Sequence, residues 1–284
     1  MYGFSSAAYA AAWALSWQRV SGSAAERAAS SVGGAARTRV TGPAQWALGA
    51  AMLLHGLALF VPLSDTGPDF RFGFAQALSA ALWLGVSLLW IEGFTVRVDA
   101  LRLLVLPVAA LAAWLPAFFP GSDVSRLTDR PLFLPHLTAA MLGYSVLTLA
   151  ALHAVLMAFA ERGLHPAARI APWLRRWLDS LPPLLVLERM LFRLITIGFV
   201  LLSLTVLTGV VFSEAVFGKA LRWDHKTMFS LIAWALFATL LLGRWLRGWR
   251  GRTALRFTLG GFALLLMSYA GTRFVLEVVL DRAV

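Results

Sequence analysis

The chain has 284 residues, of which 60% are hydrophobic and only 14% charged. A water-soluble domain usually carries about 25% charged residues, so this composition excludes an ordinary soluble domain. The net charge of +11 is typical of a nucleic-acid-binding protein, but most of the arginines stand at the ends of apolar runs. That placement predicts a membrane protein that binds no nucleic acid.

Apolar runs of about 18 or more residues recur along the chain, and each is long enough to cross a bilayer as a helix. They predict an all-α, polytopic membrane bundle with about eight transmembrane helices, formed as one integral membrane domain over residues 1–284. The predicted spans are residues 2–18, 44–62, 72–94, 103–119, 134–160, 184–212, 225–243 and 257–276. The first run lacks a basic segment before it, so we interpret it as a retained span.

Two connecting segments have a distinct composition. Residues 19–43 are rich in Ser, Gly, Ala and Arg and predict a mobile loop. Residues 163–182 alternate arginines with Trp and Leu, which predicts an amphipathic helix in the headgroup region. Loops one, three, five and seven hold most of the Lys and Arg residues, so we expect them in the cytoplasm and both termini outside.

The five histidines are the candidate ligands for a transition metal or haem, because the chain has no cysteine. His55, His136 and His225 fall at similar depths near the outer side of spans two, five and seven. Helix-to-helix hydrogen bonding for His55, and a headgroup-level ring for His136 and His225, are the alternatives. His153 lies 17 residues after His136, about 25 Å deeper at a rise of 1.5 Å per residue, and His165 is expected in a solvated loop.

Other chemistry is less well supported by the residues. A zinc site normally adds a carboxylate or cysteine at a short, defined spacing such as HExxH, and the sequence has none. Glu92, Glu188 and Asp224 could extend a proton relay. Because Arg189 and Arg193 follow Glu188, however, we expect an ion-pair network at the inner face instead.

The stretch from Phe217 to Lys226 resembles the tryptophan-rich WWD signature of the cytochrome c assembly membrane proteins (CcsA-, ResC- and CcmC-like). It keeps the Gly, the final Trp-Asp and the Lys of that signature, with Phe217 and Leu221 replacing two tryptophans. Further matches are residues 191–199, Leu204-Thr205, Gly209, residues 230–234, Gly248-Trp249-Arg250-Gly251 and residues 260–262. The resemblance covers a core of about 44–276, and it implies haem binding or haem-protein assembly.

Members that handle haem fully flank this signature with two external histidines, which are missing from residues 120–133 and after the last span. The chain is more similar to the shorter YpjD- and HemX-like branch of inner-membrane accessory proteins. The resemblance therefore implies a protein that is not an enzyme, rather than a complete haem lyase.

The residues of the signature suit a porphyrin. Trp223 offers a flat aromatic face, and Lys219, Arg222 and Lys226 could pair with haem propionates. Asp224 could orient His225 or cap the following helix. The alternatives are an interfacial belt residue for Trp223 and a solvated charge for Lys226.

Together these features predict a haem-handling accessory protein of the bacterial inner membrane, acting in cytochrome c biogenesis or haem homeostasis. The expected cofactor is haem b near the outer face, with His136 and His225 as preferred iron ligands and His55 next. The cofactor-binding set adds Trp223, Asp224, Lys226 and Arg222. Expected partners are lipid, haem and cytochrome c maturation proteins; the alternatives are a permease-associated subunit or a membrane scaffold without haem.

Overall fold

The computed structural model describes residues 2–30, 42–65, 71–94, 99–123, 133–163, 171, 175, 177, 178, 181, 183–217 and 224–268. Its helices are α1 (Tyr2–Ser30), α2 (Pro43–Asp65), α3 (Phe74–Glu92), α4 (Asp99–Ala112), α5 (Leu115–Phe118), α6 (Phe133–Gly163), α7 (Leu184–Phe217), α8 (His225–Arg247) and α9 (Arg252–Leu266). Two short strands, β1 (Arg71–Phe72) and β2 (Ser122–Asp123), pair antiparallel.

The predicted helical membrane bundle is confirmed. Six helices in the described part of the chain are long and apolar enough to cross a membrane: Pro43–Phe60, Phe74–Glu92, Leu101–Phe118, Phe133–Gly163, Leu184–Val211 and His225–Arg247. The predicted first span lies within α1, which packs along α2 and α4. The predicted eighth span begins in α9, and its last residues lie outside the described residues.

Two predicted boundaries differ from the structure. The first helix does not end at residue 18 but continues to Ser30, through the first part of the segment predicted as a mobile loop, because the Ala, Glu and Arg residues in it are strong helix formers. The predicted fourth span is broken after Ala112, and α5 begins with Pro116 in its first turn. Proline lacks the N–H that would continue the helix, so the chain turns before it.

The bundle is built from two apolar cores that share one helix. The first core joins α1, α2, α3 and α4, with Leu149 and Leu156 contributed by α6. The second joins α6, α7, α8 and α9, with Leu147 and Ala150 on another face of α6. The central helix α6 is therefore buried on two sides, and it fixes the position of the later helices relative to the earlier ones.

The two strands join chain segments that are about 50 residues apart in the sequence. Arg71 pairs with Asp123, and Phe72 with Ser122. Beside them, the Gln76 amide of α3 donates to the carbonyl of Pro120 at 2.7 Å. This ribbon ties the start of α3 to the end of α5 at the rim that the sequence places outside.

Candidate functional site

The first part of the site is formed by α6 and α7. His136 lies in the first turn of α6 and is partly buried. Its Nδ1 is 3.1 Å from the hydroxyl oxygen of Thr208 on α7. A Cβ on Gly209 would lie 3.2 Å from the Cε1 atom of this ring, so glycine at this position leaves room for the imidazole. The residue pair Thr208-Gly209 therefore holds His136 against α7.

The second part is the start of α8. Asp224 is the N-cap of this helix, and its Oδ1 accepts a hydrogen bond from the backbone N–H of Thr227 at 2.8 Å. This is the capping role that the sequence predicted as one of two for Asp224. With α8 begun in this way, His225 and Lys226 stand in its first turn with exposed side chains.

The two parts approach each other at Lys226, whose side chain lies within electrostatic range of the His136 ring. The carbonyl of Lys226 accepts a hydrogen bond from the hydroxyl of Ser268 at 2.9 Å, and Ser268 lies 2.6 Å from the hydroxyl of Ser230. We call this end of α6, α7 and α8 the outer rim; it contains His136, Thr208, Asp224, His225 and Lys226.

The third predicted ligand, His55, has a different environment. It is fully buried on α2, where Nδ1 is 2.8 Å from the hydroxyl of Tyr9 and Nε2 is 2.9 Å from the hydroxyl of Ser79. These hydrogen bonds link α1, α2 and α3. Both ring nitrogens already have partners, so iron binding by His55 would require breaking one of them.

The remaining predicted residues divide into two groups. His153 is buried, and its Nε2 is 2.9 Å from the carbonyl of Leu187, so it makes the helix-to-helix hydrogen bond that is usual for a histidine inside a bundle. Its Nδ1 has no hydrogen-bond partner among the residues that the structure describes. Trp223, Arg222, Lys219 and His165 lie outside the described residues.

Within the described residues, no group of three or more His, Cys, Asp or Glu side chains is arranged to hold a metal ion.

Sequence reasoning placed an ion-pair network at Glu188, and the structure gives its partners. The Glu188 carboxylate forms a salt bridge with Arg244 of α8, and it lies 3.6 Å from Nε of Arg250. The expectation had been drawn from the neighbouring Arg189 and Arg193. Arg193 instead lies within electrostatic range of Glu92 on α3.

Comparison with known proteins places these residues in a family. The profile described as "Cytochrome C assembly protein" matches residues 44–280. The chain belongs to the cytochrome C assembly protein family. The match includes every histidine discussed above and both halves of the outer rim, whereas α1 precedes it.

Among individual relatives, the chain is 29% identical over 237 residues to the inner membrane protein YpjD of Escherichia coli strain K12, covering 81% of this chain and 84% of that protein. An uncharacterised 28.8 kDa protein of Azospirillum brasilense is 28% identical over 266 residues, covering 93% and 92%. The cytochrome c biogenesis protein CcsA of Prochlorococcus marinus is 36% identical over 89 residues, covering 31% and 28%.

These relatives and the six membrane-crossing helices confirm the predicted location, a multi-pass protein of the inner membrane. They also confirm the predicted relationship to the YpjD- and CcsA-like members of the cytochrome C assembly family.

Proposed function

We propose that this member of the cytochrome C assembly family binds haem b at the outer rim and presents or receives it there, without catalysing a reaction of its own. The observation that carries the proposal is that Thr208 holds His136, while Lys226, which follows the exposed His225 in the chain, lies within electrostatic range of the His136 ring. Family membership supports haem handling, since relatives in the family are named for cytochrome c biogenesis.

The environment of His136 suits an axial ligand. Metal-binding imidazoles usually have their second ring nitrogen hydrogen-bonded to the protein, which fixes the ring orientation. Here Nδ1 has that role through the Thr208 hydroxyl, so Nε2 is the proposed iron-binding atom. His225 is the proposed second ligand, because its exposed side chain follows the cap of α8 and adjoins Lys226.

The cation at Lys226 and the lack of cysteine favour a haem that is bound without a covalent link to the protein. Haem carries two propionates, and Lys226 at the same rim supplies a cation for one of them. The chain contains no cysteine, so it has no thiols with which to form the thioether bonds of an attached haem c. The haem is therefore held without a covalent bond, as expected for a protein that passes it on.

The test is an absorption spectrum of the purified protein in detergent, recorded with and without dithionite. We expect a Soret band in the wild-type protein from haem-replete cells. We expect it to weaken in H136A and in H225A and to disappear in the double variant, because each removes a proposed axial ligand. His165, in a segment that the sequence places on the opposite side, gives the matched control H165A.

A monodisperse preparation shows that a variant is folded, so a change in its Soret band then reports haem binding. A monodisperse double variant that keeps the full Soret band would exclude these two ligands. A colourless wild-type protein that binds no added haem would exclude the proposed function. A normal band in H165A together with loss in the double variant would assign the iron to the outer rim.

A further inference from the structure

A dense group of arginines lies at the opposite end of the second core. It joins the last turn of α6, the first turns of α7, the last turn of α8 and the start of α9; we call it the inner rim. Its charged residues are Glu161, Arg162, Glu188, Arg189, Arg244, Arg247, Arg250, Arg252 and Arg256. Seven arginines thus face two glutamates, which leaves a large positive excess for a segment beside apolar helices.

The two glutamates hold only part of this charge. Glu188 pairs with Arg244 and Arg250, while Glu161 lies 3.9 Å from Nε of Arg252, an arginine that is 72% exposed. An ion pair this exposed is weak. Four arginines of the group have exposed side chains and, among the described residues, no salt bridge to a carboxylate: Arg162, Arg189, Arg247 and Arg256. Of these, Arg247 and Arg256 lie on the two helices that the α8–α9 turn joins.

The turn between α8 and α9, which carries several of these arginines, is held by backbone and aromatic contacts. Gly248 ends α8 in the left-handed conformation with φ 65°, and its N–H donates to the carbonyl of Arg244. The Trp249 ring then folds back onto Gly243, where a Cβ would overlap it, and packs on Phe257 with ring centroids 5.2 Å apart.

The guanidinium of Arg244 is fixed from several directions. Besides its salt bridge to Glu188, it lies 4.2 Å from the centre of the Phe192 ring. It also donates to the carbonyl of Trp249 at 3.4 Å. The Arg244 side chain is therefore fixed by contacts within the protein. The exposed Arg247 and Arg256 are the side chains that an external anion could reach.

Two further features indicate what kind of anion binds. Helix α9 begins at Gly251 without a side-chain cap, so the positive end of its dipole adds to the arginine charge. Next to Arg247, Trp245 is 81% exposed and Leu246 is 62% exposed. Exposed tryptophan beside arginine at the end of a spanning helix is typical of contact with the lipid headgroup layer.

We propose that the inner rim binds the headgroup phosphate of an anionic phospholipid, with Arg247 and Arg256 contacting the phosphate and Trp245 and Leu246 contacting the adjoining glycerol and acyl carbons. A soluble anion would use the arginines but gain nothing from the exposed apolar pair. The proposal concerns the opposite end of the bundle from the outer rim, and it stands without haem binding.

The test is native mass spectrometry of the purified protein, titrated with phosphatidylglycerol, cardiolipin or phosphatidylcholine. We expect the two anionic lipids to bind more tightly than phosphatidylcholine. In R247Q/R256Q we expect this preference to fall by about fivefold for each arginine removed. The matched control is R126Q/R130Q, which removes two arginines from the loop that the sequence places on the other side.

Three results would overturn the proposal: equal binding of all three lipids by the wild-type protein, a preference that survives in R247Q/R256Q, or an equal loss in R126Q/R130Q. Displacement of the lipid by millimolar inorganic phosphate would assign the site to a soluble anion instead. A variant with lysine at both positions keeps the charge, and we expect it to retain most of the preference.

Discussion

The indole of Trp83 on α3 lies over Gly56 of α2, and its N–H donates to the carbonyl of Met52 at 2.8 Å. The same arrangement recurs one heptad along, where Trp90 lies over Gly49 and donates to the carbonyl of Gln45 at 3.1 Å. Each accepting carbonyl belongs to the residue four positions before the glycine. The absence of a side chain on that glycine therefore lets the indole reach the backbone, and the pair of contacts fixes how α2 and α3 pack.

Substituting these glycines should destabilise the protein. A Cβ at position 49 would lie 2.9 Å from the Trp90 Nε1 atom, and one at position 56 would lie 3.1 Å from that of Trp83. We expect the displaced indole and its weakened hydrogen bond to cost G49A and G56A about 1–3 kcal/mol each. The better helix propensity of alanine offsets about 1 kcal/mol of that cost, so each variant should be less stable than G260A and the double variant less stable still. Thermal unfolding in detergent, followed by tryptophan fluorescence, measures the loss.

The control for these variants is G260A on α9. A Cβ at Gly260 would meet no atom within 4 Å. Alanine is a better helix former than glycine by about 1 kcal/mol, so this variant should be as stable as the wild type or more stable. If G49A and G260A shifted the unfolding temperature alike, the indole contact would not be what sets stability at position 49.

The Glu188–Arg244 salt bridge should matter more than the Glu161–Arg252 pair. Glu188 is largely buried, and its loss leaves Arg244 with a charge that lacks its partner. We expect E188A to cost about 2–3 kcal/mol, below the full value for a deeply buried pair because Arg244 is partly exposed. E161A removes a partner of an exposed arginine at 3.9 Å and should cost under about 1 kcal/mol.

Unfolding temperatures of the two variants in the same detergent provide the comparison. If E188A and E161A lowered the unfolding temperature equally, the Glu188–Arg244 salt bridge would not be the stronger of the two ion pairs. E188Q is a useful third variant, because it removes the charge and keeps most of the side-chain volume.

Local features of the fold could be predicted from the sequence. A membrane span depends on the hydropathy of its own residues, so the six crossing helices were predicted close to their observed bounds. The cap at Asp224 was one of the two roles predicted for this residue, because capping depends only on the next few residues. The break before Pro116 was missed, although a proline two residues into a new helix is itself a local signal.

Contacts between helices could not be predicted in the same way. Glu188 was expected to pair with arginines on its own helix, but its partner Arg244 is 56 residues away. His55 was ranked as an iron ligand because its depth matched that of His136, yet depth does not give the direction of a side chain. The orientation of each helix about its own axis is set by close packing at small residues such as Gly49 and Gly209. Hydropathy does not measure this packing.

At the proposed haem site, Thr208 should act as a positioning residue. Its hydroxyl contacts Nδ1 of His136, and loss of such a hydrogen bond typically lowers metal affinity 10- to 100-fold. We expect T208V to bind haem at least about tenfold more weakly in a titration followed at the Soret band, with unfolding unchanged. T196V is the matched control, since the Thr196 hydroxyl donates to the carbonyl of Phe192 within the same helix. Equal affinity in T208V and T196V would contradict this role.

His55 is expected to stabilise the fold rather than bind iron. Its two nitrogens contact Tyr9 and Ser79 in the first core, so removing either hydroxyl leaves a buried ring nitrogen unpaired, at a cost of about 1–3 kcal/mol. S79A should therefore lower the unfolding temperature and leave the haem content per protein unchanged. S87A, on the same helix, removes a hydroxyl that donates to the carbonyl of Trp83 within that helix and should have little effect. If S79A lost haem and kept normal stability, His55 would be supported as an iron ligand.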